Sequence, residues 1–107
     1  MRENIFVKKY PCLGGALAGD IHDGDGEDDA ALARDMRQDL DLLSRIRFFK
    51  GIIADTDRLL EENLEWELVA NIGNRVLESE AAVREWLISM RAAWRDELHR
   101  LERISKE

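Results

Sequence analysis

The sequence predicts an all-α fold: a small bundle of two or three long amphipathic helices preceded by an irregular, Gly- and Asp-rich N-terminal segment. Three observations lead there. Pro11 is the single proline among 107 residues, so nothing after it forbids a helix. From Leu32 to Ile104, apolar residues recur at intervals of three and four, the period of one helix face. Charged residues make up 36% of the chain, above the ~25% of an average domain, which suits long helices with solvated faces. The 45% of hydrophobic residues supports a packed core rather than a disordered tail, and the length suffices for one compact domain.

Residues 1–27 form the irregular segment in this reading. Five of the seven glycines lie between Gly14 and Gly26, and glycine disfavours helix. Ile5-Phe6-Val7 reads as a short extended stretch. Asp20 to Asp29 carries six acids and no base, an acidic loop. Residues 28–107 form the helical bundle domain. Its first helix opens near Asp28 or Asp29, where acids suit the positive end of the helix dipole. Leu32, Met36, Leu40, Leu43 and Ile46 make its apolar stripe, and Gly51 is a plausible C-terminal cap. Continuation through Gly51 is the alternative, since one glycine costs only ~1 kcal/mol.

The second helix opens at Asp55 or Thr56, both good N-caps. Leu60, Leu64, Leu68, Ile72 and Val76 form one row, and Leu59, Trp66, Ala70, Gly73 and Leu77 form another. A helix apolar on two sides is usually sandwiched between partners. The third helix carries Val83, Leu87, Met90, Trp94, Leu98 and Leu101, the spacing of an amphipathic or coiled-coil helix. Ser79 is its candidate cap, although residues 57–105 could also form one long helix.

Composition excludes several functions. A net charge of −7 opposes direct nucleic-acid binding, which rests on Lys and Arg neutralising phosphates, and opposes anionic membranes. No apolar run approaches the ~18–20 residues of a membrane span. The stretch after Lys8-Lys9 is too short and glycine-rich for a signal peptide. Cys12 is the one cysteine, so no intramolecular disulfide forms, and a reducing, cytoplasmic setting is expected.

No catalytic constellation is legible. Gly14 and Gly19 have the separation of a phosphate loop, but Asp20 and Ile21 stand where Lys and a hydroxyl residue are needed. An EF-hand opened at Asp23 would need glycine where Asp28 stands and glutamate where Arg34 stands. Asp96 and His99, with Glu62 and Glu65, fall short of a di-iron ligand set. Cys12 has no assignable base and is expected as a small buried hydrophobe. The expectation is no enzyme, no cofactor and no dedicated metal site, with weak divalent-cation binding by the acidic loop as a lesser alternative.

What remains is a protein-interaction module: a small acidic inhibitor or regulator that docks on a protein partner, one that could itself bind nucleic acid. Residues 55–67 carry six acids and one base. Asp55, Asp57, Glu61, Glu62 and Glu65 are the expected acidic partner surface. Leu59, Trp66, Ala70, Gly73 and Leu77 are the expected interface, because a contiguous apolar row rarely stays in water. Helix one covering that row from within the chain is a nearly equal expectation. The main alternative is a homodimer built on the same row. Arg84, Arg91 and Arg95 form a basic stripe that reads as a solvated face with local ion pairs.

Overall fold

The computed structural model describes residues 2–62 and 64–106. Among these residues six α-helices follow one another: α1 (Arg2–Lys9), α2 (Pro11–Ala16), α3 (Asp29–Asp35), α4 (Leu42–Glu61), α5 (Trp66–Ile72) and α6 (Glu80–Ser105). A π-helical turn, Leu17–Ile21, directly continues α2. No strand occurs among the described residues. The all-α class therefore holds, but only α4 and α6 are long, and the expected bundle of two or three long helices is instead six helices of unequal length.

α6 follows its sequence pattern. Ser79 caps it, its Oγ accepting from the Ala82 N–H at 3.1 Å. Val83, Leu87, Met90, Ala93, Trp94 and Leu101 are buried along one face. At ~1.5 Å per residue its 26 residues span about 39 Å, which sets the 43 Å long axis of the molecule. α4, α3 and α5 pack against it. Trp94 is fully buried and its indole N–H has no acceptor among the described residues.

The expected first helix is broken in two. Met36 leaves the helix with ψ 142°, Arg37 takes a left-handed φ of 59°, and Asp41 restarts the helix by accepting from the Ser44 N–H at 2.8 Å. The Arg37 conformation, rare for a non-glycine residue, is held by an ion pair with Asp20 at 2.9 Å. The break leaves the carbonyls at the end of α3 without helical partners. Buried Arg45 fills that need, donating to Met36 O at 3.0 Å and Arg34 O at 2.6 Å. Its remaining nitrogen, Nη1, donates to Glu97 Oε2 at 2.7 Å, and Glu97 also accepts twice from Arg100. One guanidinium thus ties the end of α3, α4 and α6 together.

α4 runs straight through Gly51, so this glycine is no cap. A Cβ there would stand 2.6 Å from Cys12 Sγ; glycine lets α2 lie close against α4. Asp55 and Thr56 do not open a second helix either. Both are buried in mid-helix. Thr56 Oγ1 donates to Ile52 O at 2.8 Å. Asp55 Oδ2 accepts from the N–H groups of Cys12 at 2.9 Å and Leu13 at 3.1 Å, and so caps α2 from outside. Tyr10, at the N-cap position itself, makes no side-chain cap.

The N-terminal segment is helical over residues 2–21, which corrects the irregular reading. Phe6, Tyr10, Leu13, Ala16, Leu17 and Ile21 are buried on one continuous face. Gly14 permits the turn between α1 and α2 to close tightly, since a Cβ there would meet Val7 Cα at 2.9 Å. This face joins the same buried cluster as Phe49, Leu87 and Trp94, so the segments 1–27 and 28–107 share one core. Among the described residues of this part of the chain, irregular backbone is limited to the bend at Tyr10 and to residues 22–28.

The two-sided apolar helix expected after Asp55 is also absent as a unit. α4 ends at Glu61, and α5 begins at Trp66. Within α5, Leu68, Val69, Ala70 and Ile72 are buried, against α1, the π-helical turn and α6. The two apolar sides are real, but partners within the chain cover most of them.

Candidate functional site

Residue by residue, the expected interface divides. Leu59, Ala70 and Gly73 are buried in the monomer. A Cβ on Gly73 would lie 2.8 Å from the Trp86 ring, so this position serves internal packing. A Leu59→Ser change would therefore read out folding, not association. Trp66 and Leu77 are half-buried against the core and keep one side in solvent. The row is thus mostly core: Leu59 continues the buried α4 stripe of Phe49, Ile52 and Thr56, and Ala70 and Gly73 belong to α5 and its end.

Five large apolar side chains stay exposed among the described residues: Leu43, Ile88 and Ile104 stand singly on α4 and α6, while Ile5 and Val76 border clefts. Ile5 on α1 is 67% exposed and Val76 is 98% exposed. Three adjoining clefts of about 280, 290 and 280 Å³ run between them. The first is walled by Ile5, Phe6 and Leu59; the second lies between Arg2 and Trp66; the third is lined by Trp66, Ala70, Val76 and Leu77. Glu65 belongs to the first two, and Trp66 and Glu67 to the last two, so the clefts form one shallow trough.

Local structure explains why Val76 points outward. α5 stops at Gly73, and Asn74 takes a left-handed φ of 57°, the usual way to leave a helix. Residues 75–78 then run without regular structure, and burial alternates: Arg75 and Leu77 are partly buried, Val76 and Glu78 exposed. Arg75 fixes that phase. Its guanidinium donates to Asp29 Oδ2 at 2.9 Å and Oδ1 at 2.8 Å, and to the carbonyls of Ile21, Gly73 and Asn74. Trp86 Nε1 donates to the same Asp29 carboxylate at 2.7 Å. The Arg75 hydrogen bonds, helped by Trp86, hold the Asp29 carboxyl below its ordinary value of 3.8. Sequence reading missed Arg75 entirely; its only signal was a lone base after a long acidic and apolar stretch.

The expected acidic surface is largely engaged within the chain. Asp55 caps α2 and pairs with Arg58. Asp57 accepts from Arg91 and Arg95, two members of the basic stripe; the third, Arg84, donates to Leu60 O. Glu62 pairs with Lys9 at 2.6 Å and Glu65 with Arg2 at 3.2 Å. Glu61 is exposed. In the acidic loop, Asp20 holds Arg37, Asp28 caps α3, and Asp25 accepts from the Glu27 N–H. Among the described residues no group of three or more His, Cys, Asp or Glu is placed to hold a metal ion. Asp96 and His99 line an open depression on α6 with Glu102, Arg103 and Lys106, while Glu62 and Glu65 are paired elsewhere. Burial, then the Asp55 charge, pushes the Cys12 thiol upward, which keeps it protonated and a poor nucleophile. No helix is long and apolar enough to cross a membrane among the described residues.

No family model matches this chain, and neither a curated protein nor a solved structure matches it.

Proposed function

We propose that this chain is a non-enzymatic docking module, a small acidic regulator that works in the cytoplasm by seating another protein in the trough along α1, α5 and residues 75–78. The observation that carries the reading is Val76, 98% exposed beside a cleft lined by half-buried Trp66 and by Leu77. Burying an aliphatic side chain of this size is worth ~1.5 kcal/mol or more. Trp66 lines two of the clefts, and tryptophan is among the residue types enriched in interface hot spots. Arg75 holds residues 75–78 in place before any partner arrives, which lowers the entropy cost of binding.

Selection of a displayed random-peptide library on the folded protein tests this. Sequences that enrich on the wild type should lose about tenfold or more in affinity for Val76→Asp, a loss of ~1.4 kcal/mol. The melting temperature of that variant should be unchanged, since its side chain touches no core. Absence of enrichment, or binding indifferent to Val76→Asp, would overturn the proposal.

A further inference from the structure

Resting on that docking reading, we infer that the trough takes a positively charged segment of another protein, apolar at its centre and flanked by Lys or Arg. The cations beside the trough are already engaged: Arg2 with Glu65, Lys9 with Glu62, and Arg75 with Asp29. Along the lining of the three clefts, the charge left over is the Glu67 carboxylate; Lys8 on α1 is also exposed and unpaired among the described residues but lines none of them. Glu67 lines both clefts that share Trp66, is exposed, and makes no hydrogen bond or ion pair among the described residues. Glu61, at the end of α4, and Glu78, next to Leu77, are exposed in the same way. An incoming segment therefore meets Trp66 and Val76 with the unpaired Glu67 carboxylate beside them.

This arrangement selects among occupants. A second copy would bring its own Glu67 toward Glu67 and set −7 against −7, which opposes close approach. Phosphate-bearing partners, nucleic acid or anionic lipid, meet the same repulsion. A basic segment instead gains from charge complementarity, chiefly in association rate and specificity, while Trp66 and Val76 supply the apolar contact.

The peptides enriched in the library selection give the test, with fluorescein-labelled members titrated by anisotropy. The expected pool carries net positive charge around one aliphatic or aromatic residue. Its binding should weaken as salt rises, and by about tenfold in the double variant Glu67→Lys/Glu78→Lys, which replaces attraction with repulsion. Both changes lie on exposed side chains, and an unaltered melting temperature confirms the fold. A neutral or acidic pool whose binding still requires Val76 would overturn the basic-partner inference and leave docking intact. Loss of any dependence on Val76 would remove the docking reading and this inference with it. Self-association in sedimentation equilibrium that Val76→Asp abolishes, or Val76-dependent binding to phosphatidylserine vesicles, would assign the trough to those occupants instead.

Discussion

α6 and the N-terminal arm, residues 2–21, each bury a full face in the same core, yet they are held helical in different ways. α6 runs for 26 residues without glycine or proline and caps itself with Ser79. The arm carries three glycines and Pro11 within 20 residues, breaks at Tyr10, and takes its cap from Asp55 on another helix. Helices as short as α1 and α2 are marginal alone, because nucleation is costly and few bonds follow it. The arm is helical because the core needs its apolar face and α4 closes its end. A helix of the first kind is written locally; one of the second kind is written partly in its neighbours.

The largest expected effect ignores this distinction. Leu87→Asp places an unpaired carboxylate at a fully buried position shared by both regions. Its cost, several kcal/mol, compares with the ~5–15 kcal/mol stability of a whole domain, so the far-ultraviolet circular dichroism of the variant should be that of an unfolded chain. Trp94→Asp should behave the same way. Wild-type melting in either variant would mean the α6 stripe is not core.

The next effect belongs to α6 and its clasp on α3 and α4. Glu97→Gln leaves the buried Arg45 guanidinium without its counter-charge, at a cost of about 3 kcal/mol. Arg100, then Arg45, hold the Glu97 carboxyl below its ordinary value of 4.5. A carboxyl with a lowered folded-state value stabilises fully above its unfolded value and loses that contribution as pH falls through the folded one. Urea midpoints measured against pH should therefore drop below about pH 4.5 in the wild type. The gap between wild type and Glu97→Gln should narrow over the same range. A constant gap from neutral to strongly acid pH would contradict the ion-pair assignment.

The smallest pair separates the regions directly. Asp55→Ala strips the buried Leu13 N–H and the partly buried Cys12 N–H of their acceptor, worth about 2 kcal/mol. Ser79→Ala removes an exposed cap worth ~1 kcal/mol. In native-state hydrogen exchange, Asp55→Ala should release residues 11–21 while α6 stays protected. Ser79→Ala should fray only the first turn of α6. Equal, global loss of protection in both variants would show that the arm and α6 unfold as one cooperative unit, against the distinction drawn here.

How much the sequence revealed follows the same line. The all-α class and the stripe of α6 were legible because each signal lay within the helix itself, whereas its start at Ser79 was one of two open readings beside a single helix over 57–105. Phe6, Tyr10, Leu13, Leu17 and Ile21 repeat at four, three, four and four, a rhythm as regular as that of α6, but the glycines masked it. Gly14 reads as a helix breaker until the approach of Val7 gives it a role. Asp55 and Asp41 are both acids before an apolar run, and only the second caps its own helix; nothing local tells them apart. Of the proposed docking face, Trp66 and Leu77 stood in the expected interface row. Val76 and Glu67 did not, because their exposure depends on where α5 ends and on Arg75 reaching across the fold to Asp29.

The close approach at Gly51 has a consequence for how this sequence can vary. Alanine there would favour α4 by ~1 kcal/mol as a helix former, but its methyl would collide with Cys12 Sγ, while the Cys12 Cβ lies a comfortable 3.5 Å away. The two positions, 39 residues apart, are therefore coupled. A residue smaller than cysteine at position 12 removes the conflict; with Cys12 in place, alanine at position 51 requires the thiol to move. Among descendants of this chain, the pair should appear as a correlated substitution, with the sulfur retained for its bulk and not for its reactivity.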